Sequence, residues 1–417
     1  MDDLVQQQPP PPLVSVFISS YNHARYLPAC LDSILGQTFE DFEVVIVDDG
    51  SSDESHALLS EYQQRYPRKV RYFWHPGHAN RGISISCNLA LDKARGKYLA
   101  WCGSDDIWLP QKLEQQVRYL ETHPQVGLVY GRVSLIDSQG SPMPGELGLD
   151  ISAEGSPVAR LLEGNWVPAS TATVRRACLD QVGVFDEDLV YSDWDLWIRV
   201  VSHWKSGYQP ILQAGYRVHS SNVSVGIDPK KNFRANIAVL AALLRKSTTD
   251  TGLLGQPRSR ALIELWLAYH YDRIDEEALA LENLRSAFTT DPSLRDDLAF
   301  WKHWLGRFIA ENYNNADLYD PKKDFALRVL EYARAGQIHL NESLRGQMAY
   351  LPHASQAMLH YQQGQRGAAR ASALKSLLAN PRGWRRCSAL RGILLESFTG
   401  RENAEKIRRL KRRLLVK

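Results

Sequence analysis

The sequence predicts an α/β fold: a Rossmann-like mixed sheet in the first half and an all-α second half. Three observations carry this. Short apolar runs alternate with helical patterns from Leu13 to the helix after Pro110, which implies parallel strands joined by crossover helices. Two further apolar runs, "VGLVYGRVSLID" and "ASTATVRRACL", follow without tidy helices between them, so the sheet ends in mixed directions. Beyond about Lys230 strand signals disappear, and helices separated by short breaks fill the remaining chain.

The elements follow in order. "LVSVFIS" reads as the first strand, followed by a helix through Leu31 and Ile34. "FEVVIVDDG" is the second strand, and Ser51 with Glu54 three positions on has capping-box spacing for the next helix. "VRYFWH" is the third strand, leading to Gly82 and a helix through Leu89 and Ala94. In "KYLAWCGSDDIWLPQKL", residues Tyr98 to Cys102 form a buried fourth strand and Pro110 fits the first turn of a helix. A stretch rich in Gly, Pro and Ser, residues 140–156, is long enough to be a mobile loop over a site.

With 417 residues the chain exceeds the usual size of one domain. Residues 1–12 form a Pro/Gln-rich disordered lead-in, residues 13–228 the α/β domain and residues 229–417 the helical domain. The lead-in has neither the basic nor the apolar segment of a signal peptide, and no apolar run has bilayer-spanning length. Hydrophobic content of 44% and a formal charge of +3 are ordinary for a soluble protein and give no argument for nucleic acid. Five scattered cysteines, at 30, 87, 102, 178 and 387, suggest a reducing, cytoplasmic setting and no structural zinc.

In the helical half, "HYDRIDEEALALENLRSAFTTDP" and "HYQQGQRGAARASALKSLLANP" resemble one another and look similar to tetratricopeptide-type hairpins, with a plain bundle as the alternative. The tail "RENAEKIRRLKRRLLVK", residues 401–417, sets eight Lys or Arg against two Glu with Ile407, Leu410 and Leu414 on one helical face. It is expected either to pack on the preceding helices or to contact anionic lipid at the inner face of the membrane.

Candidate chemistry gathers at predicted strand ends, where open α/β sheets bind ligands. Ser19, Tyr21 and Asn22 follow strand one; Asp48 and Asp49 follow strand two. Asn80, Arg81 and Gly82 precede a helix, a place for an anion or a polar base edge. Ser104, Asp105 and Asp106 follow strand four, where carboxylates either hold a divalent cation or cap the next helix. Asp193 and Asp195 flank Trp194 at the start of an amphipathic helix, where Asp193 is either an N-cap or a general base.

The segments "VSVFISSYN", "SILGQTFEDFEVVIVDDGSSD", "NRGIS", "GKYLAWCGSDDIWLPQKLE" and "SDWDLWIRV", in this order, resemble the family-2 glycosyltransferases of the GT-A fold over roughly residues 12–225. The resemblance implies a nucleotide-diphospho-sugar transferase, inverting, with a UDP- or dTDP-linked sugar donor, an acceptor hydroxyl and a divalent cation, Mn2+ or Mg2+. Ser19, Tyr21, Asn22, Asp49, Arg81, Gly82 and Ser104 then line the donor site. Asp105 and His219 hold the metal, Asp106 less so, and Asp193 is the base.

The family's first D-x-D acid is here Gly103, and the Glu that often precedes the base is Ser192. With fewer carboxylates, weak metal affinity without donor is the expectation. A glycan or lipid-linked acceptor, in surface polysaccharide or glycolipid synthesis, is the expected partner. The alternatives are a catalytically silent sugar-nucleotide or glycan-binding scaffold and a nucleotidyltransferase, though no glycine-rich, lysine-bearing triphosphate loop is visible.

Overall fold

Four buried apolar runs become the parallel half of a sheet in the computed structural model of the chain: β1 (Val14–Ser20), β2 (Phe42–Asp48), β3 (Val70–Trp74) and β4 (Tyr98–Trp101). The structure describes residues 10–153, 155–222 and 228–297, and, with interruptions, residues 300–394. Its helices α1 (Leu27–Leu35), α2 (Ser55–Arg65) and α3 (Ile83–Lys93) are the crossovers that parallel pairing requires. All seven residues of β2 are buried, as expected of a strand covered on both faces.

The mixed half adds β5 (Ile107–Trp108), β6 (Val126–Ile136), β7 (Pro142–Leu147), β8 (Thr173–Arg175) and β9 (Lys205–Arg217). Among the described residues these make one nine-stranded sheet in the order β3-β2-β1-β4-β8-β6-β9-β5, with β7 on β6. β8 runs antiparallel to both β4 and β6, while β6 and β9 are parallel.

Several local expectations change. Ser51 does not cap α2: the helix begins at Ser55, the Asp53 carboxylate accepts the Ser55 N–H, and the Ser51 hydroxyl is taken by the Asn22 N–H. Pro110 lies in the turn before α4 (Lys112–Thr122), whose flanking residue is Gln111. Part of residues 140–156 is not loop but β7, an exposed strand antiparallel to β6.

The amino ends of the parallel strands are locked by one buried carboxylate. Glu43 accepts the Ser15 hydroxyl at 2.7 Å, the Arg95 N–H at 2.8 Å and guanidinium groups of Arg71 and Arg95 at 3.0 and 2.7 Å. Burial works against its charge, yet the hydrogen bonds from Arg95, Ser15 and Arg71 hold its carboxyl below the ordinary value. Gly96 is required here, since a Cβ would come within 2.4 Å of the Ser15 nitrogen.

Beyond β7 come α5 (Pro157–Leu162), α6 (Arg176–Val182) and α7 (Ser192–His203). Trp194 and Trp197 of α7 are core residues: both are buried, and the Trp194 Nε1–H donates to the Leu161 carbonyl. α8 (Pro229–Ser247) is joined to α7 by Lys246, which lies 2.7 Å from Asp195 and 2.8 Å from Asp186. Asp195 is thereby an ion-pair residue, held also by Arg199. α9 spans Pro257–Arg273.

The chain divides into two compact units, residues 1–270 and 271–417, so the first runs past the expected boundary after residue 228. In the second unit lie α10 (Glu277–Thr290), α11 (Phe325–Arg334) and α12 (Arg366–Ala379). One helix-ending turn recurs there three times among the described residues. The N–H groups of Glu276, Gln337 and Gln365 bond the carbonyls of Tyr271, Tyr332 and His360, five residues back, each after a positive-φ residue: Asp275, Gly336 or Gly364.

Among the described residues no helix is long and apolar enough to cross a membrane. The basic tail, residues 401–417, and the first nine residues of the lead-in lie outside the described residues.

Candidate active site

The carboxyl ends of β1, β2, β3 and β4 share one edge because the strands are parallel, and two loops there are bolted together. Asn22, at φ 54°, donates its N–H to the Ser51 hydroxyl and accepts the Ser52 N–H on its side-chain oxygen. The Ala24 N–H reaches the Asp53 carboxylate at 2.9 Å. Asn22 thus clamps the β1–α1 loop onto the β2–α2 loop. Beside it Tyr21 is 47% exposed, and Ser19, within β1 opposite Val47, is half-buried.

Asp49 is buried and shapes the segment before α3. It accepts the Arg81 N–H at 2.8 Å, the Gly82 N–H at 3.0 Å and the Ser86 hydroxyl at 2.9 Å. Gly82, at φ 97°, is the residue just before α3, a conformation that suits glycine. Arg81 keeps an exposed side chain at this edge, so the carboxylate orients the segment that presents the cation.

Asp105 and Asp106 part company although adjacent. Asp106 is buried, accepting the Arg217 N–H at 2.9 Å and pairing with the Ser170 hydroxyl. Burial, with the Asp105 charge beside it, pushes its carboxyl well up. Asp105 instead faces the Nε2 of His219 at 2.9 Å and the side-chain amide of Asn222 at 3.3 Å. Gly103 fits this close pairing: a Cβ there would lie 2.8 Å from an Asp106 oxygen and 2.9 Å from an Asp105 oxygen.

A residue not singled out from the sequence joins them. His23, in the β1–α1 loop, offers a ring nitrogen to the same point, and the ligand atoms of His23, Asp105 and His219 all lie within 4.8 Å of one another. Ser104 is buried and contacts His23 Nδ1 at 2.7 Å. Burial, with His219 nearby, pushes the His23 imidazole below its ordinary value, against the pull of Asp105. His23 directly follows Asn22 in the sequence, but its partner Ser104 lies 81 residues away, which no local pattern shows.

The donor set, one carboxylate and two imidazoles, suits a divalent cation. Tyr26 and Arg217 buttress it: the Tyr26 ring stacks on His219 at 4.9 Å, and the Arg217 guanidinium lies 4.9 Å from the centre of that ring.

Asp193 stands in the first turn of α7, which is tied to the start of α3 by the 2.7 Å contact of the Ser192 and Ser84 hydroxyls. Burial pushes its carboxyl up, opposed by hydrogen bonds from the Trp194 N–H and the Asn165 side chain, the latter at 2.7 Å. Such a carboxylate is more basic than an exposed one. Asn165, in the segment after α5, is a second site residue the sequence did not flag.

Comparison with known proteins bears on the family of the chain. Residues 15–166 match the family model of Glycosyl transferase family 2. An uncharacterized glycosyltransferase of Nostoc sp. is 32% identical over 224 residues, covering 50% of this chain and 66% of its own. An uncharacterized glycosyltransferase of Rickettsia felis is 32% identical over 219 residues, covering 51% of this chain and 35% of its own. The chain thus spans between about a third and two thirds of the length of these relatives.

The crystal structure of S. aureus TarS with UDP-GlcNAc shares 19% identity at a TM-score of 0.49, covering 84% of this chain and 92% of that one, and at that score adds nothing to the assignment. The matched residues carry β1 to β4 and the strand ends that hold Asp49 and Asp105; the first unit of this chain belongs to glycosyl transferase family 2.

Proposed function

We propose that the first unit transfers a sugar from a nucleoside-diphosphate donor, UDP- or dTDP-linked, to an acceptor hydroxyl with inversion at the anomeric carbon. The observation that carries this reading is a division of labour between two carboxylates. Asp105 converges with imidazoles at the strand ends, while Asp193, pushed up by burial, stands at the start of a helix with one side-chain amide on it.

A divalent cation bound at Asp105 and His219 would supply positive charge to the diphosphate as it leaves. Asp193 takes the proton of the acceptor hydroxyl; the acceptor oxygen forms its bond to the anomeric carbon on the face opposite the diphosphate, and the bond to the diphosphate breaks. Asn165 orients the Asp193 carboxylate, and Asp49 holds the Arg81 segment for the nucleotide end of the donor. Gly103, at the place of the missing D-x-D acid, has a packing reason in the crowding of Asp105 and Asp106, and this favours transfer over a silent binding scaffold.

The helical second unit, with its repeated helix-ending turn, is suited to recognising the acceptor, a glycan or lipid-linked saccharide of surface polysaccharide or glycolipid synthesis. The experiment is a screen for nucleoside-diphosphate release across sugar nucleotides with Mn2+ or Mg2+. One donor whose release rises with acceptor and collapses in Asp193→Asn supports the reading. Donor binding with no turnover for any sugar, in the presence of candidate acceptors, returns it to the scaffold.

A further inference from the structure

We propose that His23 is a third protein ligand of the cation at Asp105 and His219, and that this two-histidine, one-carboxylate set binds a transition-metal dication in preference to Mg2+ before any donor arrives. The inference rests on the functional reading above for the presence of a cation; it adds a ligand, a selectivity and an order of binding.

The three ligand atoms come from separate segments, the β1–α1 loop, the turn after β4 and the turn after β9, and all lie within 4.8 Å of one another. Each imidazole has its other nitrogen engaged: His23 Nδ1 meets the Ser104 hydroxyl at 2.7 Å, and His219 Nδ1 meets the Ser221 hydroxyl at 3.2 Å. Such an outer contact orients a metal-binding histidine ring, and His219 Nδ1 also accepts the Ser221 N–H at 3.3 Å. Nε2 is the ring atom of His219 that faces the Asp105 carboxylate; coordination there moves the ring proton to Nδ1, where the Ser221 hydroxyl oxygen can accept it.

The set is also rigid before anything binds. The Tyr26 ring stacks on His219 at 4.9 Å and packs edge-on to His23 at 5.7 Å, so one aromatic ring braces both imidazoles. His23 itself sits between Asn22 and Ala24, whose N–H groups are both fixed to the β2–α2 loop. Ligands held in place by their own surroundings need no donor phosphate to assemble them.

Gly103 explains why the third ligand comes from elsewhere. A side chain at that position would begin against the Asp105 and Asp106 carboxylates. The ligand absent there is replaced by an imidazole from the first loop, and the replacement changes the chemistry. Mg2+ demands oxygen ligands and gives up its water reluctantly, whereas imidazole nitrogen favours first-row transition metals. The weak donor-free affinity expected from counting carboxylates is thereby reversed.

The test is Mn2+ binding to the full-length, EDTA-treated protein without donor, followed by electron paramagnetic resonance with Mg2+ in about hundredfold excess over Mn2+. Spin-echo spectra of the bound ion count the coordinated imidazoles. The wild type should bind Mn2+ under the Mg2+ excess and show two imidazole nitrogen couplings. His23→Ala should lose one coupling and about a hundredfold or more in affinity; Ser104→Ala should keep both couplings and lose about tenfold. Thermal melting of each variant in EDTA checks the fold, and His23→Gln is the second variant should alanine fail to fold.

If the His23 variants keep two couplings and full affinity while Asp105→Asn loses the ion, His23 is no ligand although the cation reading stands. If Asp105→Asn binds Mn2+ as the wild type does, the cation reading itself falls. Displacement of Mn2+ by Mg2+ at equal concentration overturns the selectivity, and absence of Mn2+ binding until donor is added overturns the order.

Discussion

Glu43 and Asp105, at opposite ends of the parallel strands, are held in opposite ways. At the amino ends Glu43 is closed: a hydroxyl, a backbone N–H and two guanidinium groups fill its oxygens, and nothing could replace them without unstitching β1, β2 and the turn before β4. At the carboxyl ends Asp105 meets an imidazole and an amide, partners that a cation could displace or join at no cost to the backbone. Asp193 belongs to this second kind, with the Asn165 side chain on one oxygen. Burial alone does not separate the two kinds, since it works against the charge of Glu43 and of Asp193 alike; the chemistry of the partners does.

The largest expected effect is at Asp193. Asp193→Asn keeps the shape and the Asn165 contact but removes the base, so turnover should fall by about 10² to 10⁴-fold with donor affinity nearly unchanged. Calorimetric donor binding and initial rates on one preparation measure the two quantities together. Near-normal turnover would move Asp193 into the closed, structural class and break the comparison.

Glu43 should show the reverse. Glu43→Ala leaves the Arg71 and Arg95 guanidinium groups and the Arg95 N–H without their acceptor, a loss of about 2–4 kcal/mol in unfolding free energy by denaturant titration, with cation-dependent donor affinity retained. The pH dependence has a definite sign. Because its carboxyl is held below the ordinary value, Glu43 contributes stability above the usual glutamate range and loses it as pH falls through the lowered value. Glu43→Gln should lack that acid-side loss. Asp105→Asn should do neither, losing cation-dependent donor binding at nearly constant stability in EDTA.

Legibility follows the same division. β1, β2 and β4 were readable because each is a run of buried apolar residues, and the strand ends followed from the parallel order they imply. β5 and β7 were not: β5 has two residues, and both exist through pairing with β9 and β6, distant or unpatterned in sequence. His219 came only from the family resemblance, whereas Asp105 and Asp193 stood out as polar residues after apolar runs. His23 and Asn165 did not, because each acquires its place from a partner 81 or 28 residues away. Ser51 misled for a related reason: its spacing to Glu54 was right for a cap, but the Asn22 N–H from another loop occupies its hydroxyl.

A finer test of the open class is Asn165→Ala. Burial pushes the Asp193 carboxyl up and the Asn165 hydrogen bond opposes that push, so its removal should raise the carboxyl further. The base works only when ionised, and rate is lost as pH falls through its value; the acid limb of the rate profile should therefore move to higher pH at an unchanged plateau. A lowered plateau with an unmoved limb would make Asn165 a contact for substrate rather than a tuner of the base.

The smallest effect is expected where the two classes touch, at Asp106 beside Asp105. Asp106 accepts the Arg217 N–H and the Ser170 hydroxyl, and burial with the Asp105 charge beside it pushes its carboxyl well up, which lowers the cost of a neutral replacement. Asparagine keeps an oxygen for the Arg217 N–H, and the Ser170 hydroxyl, which donates to Asp106, can turn to accept from its amide. Asp106→Asn should then cost less than about 1 kcal/mol, whereas Asp106→Ala, which leaves the Arg217 N–H buried without an acceptor, should cost about 1–3 kcal/mol. Chemical denaturation in EDTA measures both. Cation-dependent donor affinity should survive in each variant. A loss equal to that of Asp105→Asn would show that both carboxylates face the cation, and the line between closed and open carboxylates would not run between these neighbours.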